Sequence, residues 1–576
     1  MKKILRFLIS RVFWFSLLIV VQIGIFAVIL FNISSYSTYL YAAFVLFSLI
    51  IVIWLVAKDD NPSYKITWII LIMTLPVVGW FFYLKFGNKT LPHRYWEKIA
   101  ANEAAHPALF TAEEGDTAAL LEQYPRHRVL TDYIRNISGF PAYGGTQVEY
   151  APLGEDFFRQ LMRELPKAKK FIFLEYFILE KGLMWDSVLE ILRERAAAGV
   201  EVCVIYDDFG CIQRLSASYP KELAGFNIKA VPYNPMRPSM DPSLNYRDHR
   251  KICVIDGQVG FTGGINLADE YINKVERFGH WKDTSVLLRG AAVRSLTRMF
   301  LQQWTLNAGS DTLDRPEEEY LTARALPAQG YAQPYPDSPL DHFNVAENAY
   351  LHLIQRADHY VYITTPYLIL DNEFVTTLKT TAESGVDVRI ITPSHPDKWY
   401  VHMVSRSYYQ TLIQSGVKIY EYQPGFIHAK MCLCDDEAAM VGTANLDYRS
   451  LYLHYENAVL LYHTPVLAEI KKDIEETLEK SRLITIEELR SKLRGTSALC
   501  ALLKLLAQAA RLCCLSGRRP CGAGRPSPAS PRRLAPSPFT NCKKEPPRRG
   551  SSFLPSIRFT APLCRRYPPP GPPPAR

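Results

Sequence analysis

One motif occurs twice in this chain, and the duplication constrains the fold more than any other feature. The copies are HRKICVID, which begins at His249, and HAKMCLCD, which begins at His428. Each reads His-x-Lys-x-x-x-x-Asp, and 179 positions separate their first residues. Recurrence of a pattern at a fixed offset is the signature of a repeated structural unit. The chain is therefore predicted to contain two copies of one supersecondary arrangement.

The segments before the two motifs support this duplication. Apolar and aromatic runs that are typical of buried strands alternate with a segment of helical periodicity. The order strand, helix, strand covers residues 170–179, 184–200 and 201–208 in the first copy and residues 361–370, 372–384 and 386–392 in the second. Gly199 and Gly385 end the two helices and lie 186 positions apart. The predicted fold class is α/β, with two tandem repeats of a strand–helix–strand unit.

Composition divides the rest of the chain. We predict a membrane region at residues 1–89, a juxtamembrane connector at 90–139, the first repeat at 140–310, a linker at 311–339, the second repeat at 340–490, an amphipathic end helix at 491–512 and a basic Pro-rich tail at 513–576. The tail has no apolar periodicity and is predicted to be disordered. Its abrupt start suggests an out-of-frame reading of the end of the gene, and a basic tail that attracts anionic lipid is the alternative.

The first 89 residues are predicted to be an N-terminal helical membrane region. Apolar segments lie at about 12–31, 39–57 and 66–84. The first is twenty residues without a charge, which spans a bilayer core as a helix and is too long for a secretory signal, so an uncleaved anchor is predicted. Pro76 and Gly79 interrupt the third segment, which is predicted to be a kinked span or a re-entrant hairpin. A third segment that spans the membrane would place the two repeats outside the cytoplasm, and a re-entrant hairpin would keep them inside.

The charge is distributed unevenly along the chain. The formal net charge is +9, but residues 511–576 hold fourteen of the 66 Lys and Arg residues and one of the 57 acids. Residues 1–510 therefore carry 52 bases and 56 acids, a formal net charge of −4. A nucleic-acid partner, which needs a basic groove, is not expected. The eleven cysteines form no CxxC pair, so neither a disulfide framework nor a metal site is predicted.

The repeated His and Lys residues indicate an anion-binding site. Residues two apart in a strand share a face, so His249 is predicted to point the same way as Lys251, and His428 the same way as Lys430. Burial of an imidazole and an ammonium is costly unless an anion lies in front of them. A core histidine beside a lysine would explain one copy about as well, but two copies in two related halves favour a functional site.

Two such pairs in one cleft provide the groups needed to transfer a phosphoryl group. One neutral imidazole attacks the phosphorus of a phosphodiester and becomes covalently attached, while the other, protonated, delivers its proton to the departing alkoxide. An alcohol or water, deprotonated by the second histidine, then releases the phosphoryl group. Cationic and amide side chains neutralise the developing charge, so the predicted chemistry needs no cofactor and no metal ion.

Residues downstream of each motif are candidate supporting residues. Small and polar side chains predicted to approach the anion are Gly264, Asn266, Thr443, Asn445 and Ser450. Asp283 and Glu456 supply a buried carboxylate near each motif, which is expected to hold the second imidazole nitrogen and fix its tautomer. Asp256 and Asp435 complete the motifs but fall off the His/Lys face. They are expected to tie strand ends or the two halves together.

The duplicated motif, with its downstream Gly/Thr and Asn residues, resembles the signature of the phospholipase D superfamily. Over roughly residues 1–490 the chain is most similar to the bacterial cardiolipin synthases of that superfamily, because NPSYKITWIILIMTLPVVGWFFYLKFG resembles their N-terminal membrane segment, and HWKDTSV and GTANLDYRS resemble their later motifs. The resemblance implies that the two tandem repeats are phospholipase D-like α/β/α sandwiches that form one pseudo-twofold catalytic unit. It implies catalytic roles for His249, Lys251, Asp256, His428, Lys430 and Asp435, with His249 as the nucleophile and His428 as the acid/base, or the reverse.

The resemblance also implies a reaction and a location. One phosphatidylglycerol would be cleaved to a phosphatidyl-histidine with release of glycerol, and a second would accept the phosphatidyl group to give cardiolipin. The expected partners are these lipids, in a multi-pass protein of the bacterial cell membrane. Nothing in the sequence indicates an oligomeric state. The alternatives are a hydrolase that releases phosphatidic acid, a transferase that uses another alcohol, a nuclease and a membrane scaffold without activity.

Overall fold

The structure, a computed structural model, describes most of the region that holds the two repeats. The described residues are 38–58, 62–74, 93–236, 242–341 and 343–493, with isolated positions 24, 28, 79, 80, 83, 499, 500, 503 and 504. The first predicted membrane segment apart from positions 24 and 28, most of the predicted end helix and the whole predicted tail lie outside the described residues. Part of the third predicted segment, including Pro76, also lies outside them.

The described part of the predicted membrane region includes two helices. They are α1 (Thr38–Ala57) and α2 (Pro62–Thr74), and they pack through a small apolar cluster that includes Leu55, Tyr64 and Trp68. Among the described residues, no helix has both the length and the apolar character that crossing a bilayer requires. The predicted multi-pass membrane region is therefore not confirmed.

Helices cover the predicted connector and flank the sheets that follow. Those of the connector are α3 (His93–Ala105), α4 (Pro107–Phe110), α5 (Thr117–Gln123) and α6 (Arg128–Ser138). Those of the first half are α7 (Gly154–Glu164), α8 (Leu183–Ala197), α9 (Asp208–Cys211), α10 (Tyr219–Ala224) and α11 (Val293–Asn307). Those of the second half are α12 (Val345–Gln355), α13 (Asn372–Glu383), α14 (Trp399–Gln414), α15 (Tyr448–Leu453), α16 (Val466–Glu479) and α17 (Ile486–Leu493).

The strands form two large mixed sheets. The first half contains β1 (Thr146–Ala151), β2 (Phe171–Tyr176), β3 (Glu201–Asp207), β4 (Ile228–Tyr233), β5 (Arg247–Asp248), β6 (Lys251–Ile255), β7 (Val259–Gly263), β8 (His280–Lys282) and β9 (Ser285–Gly290). The second contains β10 (Tyr331–Asp337), β11 (Tyr360–Thr364), β12 (Asp387–Pro393), β13 (Lys418–Tyr422), β14 (Gly425–Ile427), β15 (Met431–Cys434), β16 (Ala438–Gly442), β17 (His454–Tyr462) and β18 (Ser481–Leu483).

The two sheets have the same topology. The first has the order β1-β9-β7-β6-β2-β3-β4, and the second has the order β10-β17-β16-β15-β11-β12-β13 followed by β18. Each strand of the first sheet therefore has a counterpart at the same place in the second. The predicted strand, helix, strand segments are β2, α8 and β3 in one copy and β11, α13 and β12 in the other. The α/β class and the internal duplication are confirmed.

The halves share a core and also exchange short strands. Ile252 and Leu288 of the first sheet belong to the same buried apolar cluster as Leu433 and Val459 of the second. The two-residue strand β5 leaves its own half to pair with β17, and β14 pairs with β8 in the same manner. Each half thus contributes a short strand to the other, immediately before its own motif histidine.

Candidate active site

The motif histidines lie where the chain crosses between the two halves. His249 falls between β5, which pairs with the second sheet, and β6, which belongs to the first. Its backbone N–H donates to the carbonyl of Tyr455 at 2.9 Å, and the N–H of His428 donates to the carbonyl of Lys282 at 2.7 Å. The prediction that each His and Lys lie in one continuous strand is wrong, because the strand is interrupted at the crossing.

Each imidazole is held by a carboxylate from the opposite half. Nδ1 of His249 lies 2.9 Å from both carboxylate oxygens of Glu456, and Nδ1 of His428 lies 2.6 Å from Oδ2 of Asp283. The sequence predicted these two acids but expected each to serve the motif nearest to it. The reciprocal crossing of β5 and β14 reverses that pairing. Because an ionised carboxylate can only accept, Glu456 places the proton of His249 on Nδ1 and its lone pair on Nε2. Asp283, at 2.6 Å, favours the same tautomer of His428 over the competing contact of Lys430 with that Nδ1 at 2.8 Å.

Both imidazoles line a single cavity of about 800 Å³. His249 is 6% exposed and His428 is 7% exposed. Asn266, Asn445 and Ser450 also line this cavity. The structure therefore brings the two motifs to one site, large enough for a phosphodiester and part of each group attached to it.

The motif lysines are buried beside their histidines. Nζ of Lys251 donates to the carbonyl of His249, and Nζ of Lys430 donates to the carbonyl of His428. Nζ of Lys430 also lies 2.8 Å from Nδ1 of His428. Each lysine is 1% exposed, so its positive charge acts in surroundings that screen it little.

Burial controls the ionisation of the cationic groups. It lowers the pKa of Lys251 to about 7 and that of Lys430 to about 8. It also lowers the pKa of His249 to about 3. Burial and the two nearby ammoniums lower the pKa of His428 well below its usual range. Both imidazoles are therefore neutral near pH 7 in the empty site.

The two carboxylates respond differently to their surroundings. Burial raises the pKa of Asp283 to about 6, against the opposing effect of the Lys430 ammonium. Burial also favours the neutral form of Glu456, but contacts with His249 and His454 outweigh it and hold the pKa of Glu456 well below its usual range. Near pH 7 the two carboxylates are therefore ionised beside neutral imidazoles, while Lys430 is largely charged and Lys251 is about half charged.

The motif aspartates stabilise strand ends and lie outside the cavity lining. The Asp256 carboxylate accepts the backbone N–H groups of Lys169, Lys170 and Phe171 at 2.7–2.9 Å, and Asp435 accepts three equivalent N–H groups at the start of β11 at 2.6–3.0 Å. Both residues adopt the left-handed conformation, with φ of 52° and 51°. Of the two roles expected for them, the contacts match the tying of strand ends within each half.

Two of the predicted anion contacts instead support the carboxylates. A Cβ atom on Gly264 would lie 2.0 Å from Oδ1 of Asp283, so this glycine makes room for the acid that holds His428. The hydroxyl of Thr443, at the equivalent position of the second half, donates to Glu456. The residue at this position in each half must therefore allow the carboxylate that holds an imidazole to lie close to the backbone or to a hydroxyl group.

The two asparagines make equivalent contacts five residues downstream. Nδ2 of Asn266 donates to the hydroxyl of Tyr271 at 2.6 Å, and Nδ2 of Asn445 donates to Oγ of Ser450 at 3.0 Å. Oδ1 of Asn266 accepts the N–H of Ile178 at 3.0 Å. These amides hold the cavity wall in place, and their second N–H hydrogens remain for a ligand.

The sequence analysis missed two cavity residues that lie beside the imidazoles. The His454 ring lies 5.3 Å from the ring of His249, and the Trp281 ring lies 5.4 Å from that of His428. Trp281 lies two residues before Asp283 in the sequence, and His454 lies two residues before Glu456. An alignment of HWKD with LHYE on the two acids would have identified this pair of positions.

Within the described part of the chain, two histidine clusters resemble metal sites. Ligand atoms of His249, His454 and Glu456 lie within 4.8 Å of one another, but the buried ammoniums near this site already supply the charge that a cation would bring. The other cluster joins His127, Glu437 and His463. Arg356 donates to Nδ1 of His127, so Nε2 of that ring carries the proton and donates to His463 at 2.9 Å. That contact fits a hydrogen-bonded pair better than two metal ligands.

Comparison with known proteins identifies the family. The family model described as "Cardiolipin synthase, PLD-like domain" matches residues 161–304 and 350–478, and a phospholipase D-nuclease N-terminal model matches residues 43–88. The chain is 44% identical over 460 residues to an uncharacterised protein of Streptococcus mutans, across 79% of this chain and 98% of that protein. It is 36% identical over 441 residues to a cardiolipin synthase of Geobacillus, across 76% of this chain and 86% of that enzyme.

A solved structure also matches, that of phosphatidylserine synthase from Haemophilus influenzae, with a TM-score of 0.49, 16% identity and coverage of 62% of this chain and 95% of that one. The similarity to the cardiolipin synthases extends over most of their length, and the two segments matched by the family model contain both motifs. The chain belongs to the phospholipase D-like family of cardiolipin synthases.

Proposed function

We propose that the protein is a cardiolipin synthase that moves a phosphatidyl group from one phosphatidylglycerol to another and releases glycerol. The observation that carries this proposal is the reciprocal pairing of His249 with Glu456 and of His428 with Asp283 around one cavity. This arrangement provides two imidazoles of defined tautomer, as a two-step transfer through a covalent intermediate needs.

In the first step, Nε2 of His249 attacks the phosphorus of the donor lipid. The bond between phosphorus and the oxygen of the headgroup glycerol breaks. The departing oxygen takes a proton from Nε2 of the protonated His428. An anionic phosphodiester in the cavity raises the affinity of the nearby imidazole for that proton. The product is a phosphatidyl group bonded to His249, together with free glycerol.

In the second step, a hydroxyl of another phosphatidylglycerol attacks the same phosphorus. His428, now neutral, accepts the proton of that hydroxyl as the new oxygen–phosphorus bond forms and the nitrogen–phosphorus bond breaks. The carboxylate of Asp283 stabilises the imidazolium that forms in this step. Because the bonds broken and formed are alike, the direction of net transfer follows the removal of glycerol.

The buried lysines stabilise the charge that develops on the phosphoryl oxygens. Lys251 and Lys430 are fixed by hydrogen bonds to backbone carbonyls, so little reorganisation is needed when the anion binds. Burial lowers the pKa of both lysines, and the negative charge of a bound phosphodiester would favour their charged form.

The wall of the cavity suits a lipid substrate. Its lining combines charged side chains of both signs with apolar ones, including Phe209, Val401, Val404 and Leu503. The apolar part of this surface can accommodate the diacylglycerol portion of a phospholipid. The formal net charge of −4 over residues 1–510 disfavours a nuclease.

We further propose that the N-terminal region attaches the enzyme to the bacterial cell membrane. Helix α1 exposes large apolar side chains, among them Leu46, Ile50 and Ile53, and the family model for the N-terminal region covers residues 43–88. Contact with lipid would remove these side chains from water, and it would keep the cavity close to both substrates.

Purified full-length protein in liposomes of phosphatidylglycerol alone tests the proposed reaction. Cardiolipin and glycerol in equal amounts are expected. Phosphatidic acid without cardiolipin would identify a hydrolase, and a product formed only with added serine or ethanolamine would identify a different transferase. No turnover under any of these conditions would leave the scaffold alternative.

A further inference from the structure

A third histidine lies in the cavity and has no role in the two-step transfer described above. His454 is the first residue of β17 and is 9% exposed. Its ring lies 5.3 Å from the ring of His249 and 6.5 Å from that of Phe177. Nε2 has no hydrogen-bond partner among the described residues, and Nδ1 has only a long contact with the Glu456 carboxylate. A buried polar side chain in this condition is costly unless a ligand or water completes its hydrogen bonds.

The two halves of the site differ at the position of His454. Glu456 and Asp283 perform equivalent roles in the two halves, so the residues two before them, His454 and Trp281, are counterparts. Trp281 lies 5.4 Å from His428, with Phe426 and Tyr271 also within 6 Å of that ring. The surroundings of His428 are therefore aromatic, while His249 has a second imidazole beside it.

The hydrogen-bonding character of His454 follows from its neighbours. Nδ1 lies 3.5 Å from Oε1 of Glu456, and this carboxylate favours a proton on Nδ1. Burial lowers the pKa of His454, which keeps the ring neutral. Nε2 is then an acceptor. A phosphoryl oxygen, which also only accepts, does not match it, whereas a hydroxyl group does.

We propose that Nε2 of His454 accepts a hydrogen bond from the secondary hydroxyl of the glycerol headgroup. This inference rests on the proposed function and defines how its acceptor is chosen. The headgroup of phosphatidylglycerol has two free hydroxyls, of which the terminal one attacks phosphorus and the secondary one takes no part in bonding to it. His454 holds the secondary hydroxyl and so positions the terminal oxygen for attack. Binding at this point favours a polyol over water or a simple alcohol.

The covalent steps are unchanged by this proposal. The terminal hydroxyl loses its proton to His428, the oxygen–phosphorus bond forms, and the bond from phosphorus to His249 breaks. His454 gains and loses no proton. It is a specificity residue, and its loss should alter which acceptor is used more than it alters formation of the phosphatidyl-enzyme.

A competition between two soluble acceptors tests the role of His454. Protein in phosphatidylglycerol liposomes receives equal concentrations of deuterated glycerol and 1,3-propanediol, which lacks the secondary hydroxyl. Mass spectrometry then gives the ratio of the two exchanged lipids. We expect the wild-type protein to favour glycerol about fivefold to tenfold, as one hydrogen bond allows, and His454→Ala to bring the ratio close to one. His454→Gln, whose amide oxygen can accept, should restore part of the preference.

The matched control is His359→Ala, which removes an exposed histidine that precedes β11, and it should keep the wild-type ratio. Because a ratio is measured, partial misfolding of a variant does not change its value. Equal ratios in the wild-type protein and His454→Ala, or no preference in the wild-type protein, would overturn the inference. Absence of cardiolipin, with an acceptor preference that still depends on His454, would overturn the proposed function and leave this inference standing.

Discussion

Oδ2 of Asp283 lies 2.6 Å from Nδ1 of His428, although 145 residues separate them and they belong to different repeats. Glu456 makes the reciprocal contact with His249 across 207 residues. Each half therefore supplies one imidazole and the carboxylate that orients the other. This relationship means that a substitution in one half should impair the chemistry of a histidine in the other.

Asp283→Asn should reduce cardiolipin synthesis by about 10²- to 10⁴-fold without unfolding the protein. The amide keeps the size of the side chain but can donate to Nδ1, which moves the proton of His428 to Nε2 and removes the lone pair that accepts from the acceptor hydroxyl. Initial rates of cardiolipin formation and the melting temperature would be measured together. Asp311→Asn, at an exposed position, should behave as the wild-type protein. A full rate in Asp283→Asn would refute the pairing.

His249→Ala and His428→Ala should each reduce synthesis by about 10³-fold or more, because each removes a group that bonds to phosphorus or moves a proton. In the wild-type protein, quenching during turnover at alkaline pH followed by peptide mass spectrometry should locate a phosphatidyl group on His249. The adduct should be missing from His249→Ala. An adduct on His428 would reverse the assigned roles while keeping the mechanism.

Gly264→Ala should inactivate the enzyme through a residue that makes no bond to substrate. The added Cβ would lie 2.0 Å from Oδ1 of Asp283, so the carboxylate must move away from His428. We expect a loss of activity comparable to that of Asp283→Asn. Gly225→Ala is the control, since a Cβ there meets nothing closer than the carbonyl oxygen of Glu222 at 3.2 Å and the residue has helical φ. An active Gly264→Ala protein would show that the pocket tolerates a displaced Asp283.

Asp256→Ala and Asp435→Ala should lower the free energy of unfolding by about 1–3 kcal/mol each, because each leaves three backbone N–H groups without their carboxylate. The asparagine variants should lose less, since Asn retains one oxygen and tolerates φ near 52°. Urea denaturation measures this loss. The turnover number of the folded fraction should stay near that of the wild-type protein. A large fall in turnover with unchanged stability would instead give these aspartates the catalytic role that the motif suggested.

The ratio kcat/KM for phosphatidylglycerol should be highest between about pH 6 and pH 8. Below about pH 6, Asp283 gains a proton and no longer holds Nδ1 of His428. Above about pH 7 to 8, Lys251 and then Lys430 lose the protons that bind the phosphate. Lys251→Arg, which stays charged, should move the alkaline limb to higher pH. A profile that is flat from pH 5 to pH 9 would contradict these ionisations.

The sequence predicted the parts of the site that depend on local pattern. Periodicity and the glycines at 199 and 385 were enough to predict the repeated strand, helix, strand order, and the spacing within each motif predicted the paired histidine and lysine. The same pattern predicted Asp283 and Glu456 as the carboxylates. Periodicity and motif spacing can be recognised from residues that are close together along the chain, so one sequence is enough to predict these features.

The sequence could not predict which carboxylate meets which imidazole. That pairing depends on the crossing of β5 to β17 and of β14 to β8, and strands of two or three residues have too little periodicity to be recognised. It also could not distinguish the roles of Gly264 and Asn266, because a small residue near a motif is equally consistent with contact to an anion and contact to a carboxylate. His454 was missed for a related reason, since a lone histidine is ordinarily interpreted as a packed side chain.

The exchange of short strands also restricts lipid cleavage to the fully folded enzyme. An enzyme that cleaves phospholipid headgroups would damage its own bilayer if a newly made or partly degraded copy were active. Here a repeat that has not docked on its partner has an imidazole without an orienting acid and an acid without an imidazole. Competence to cut lipid therefore appears only when the whole catalytic region has assembled.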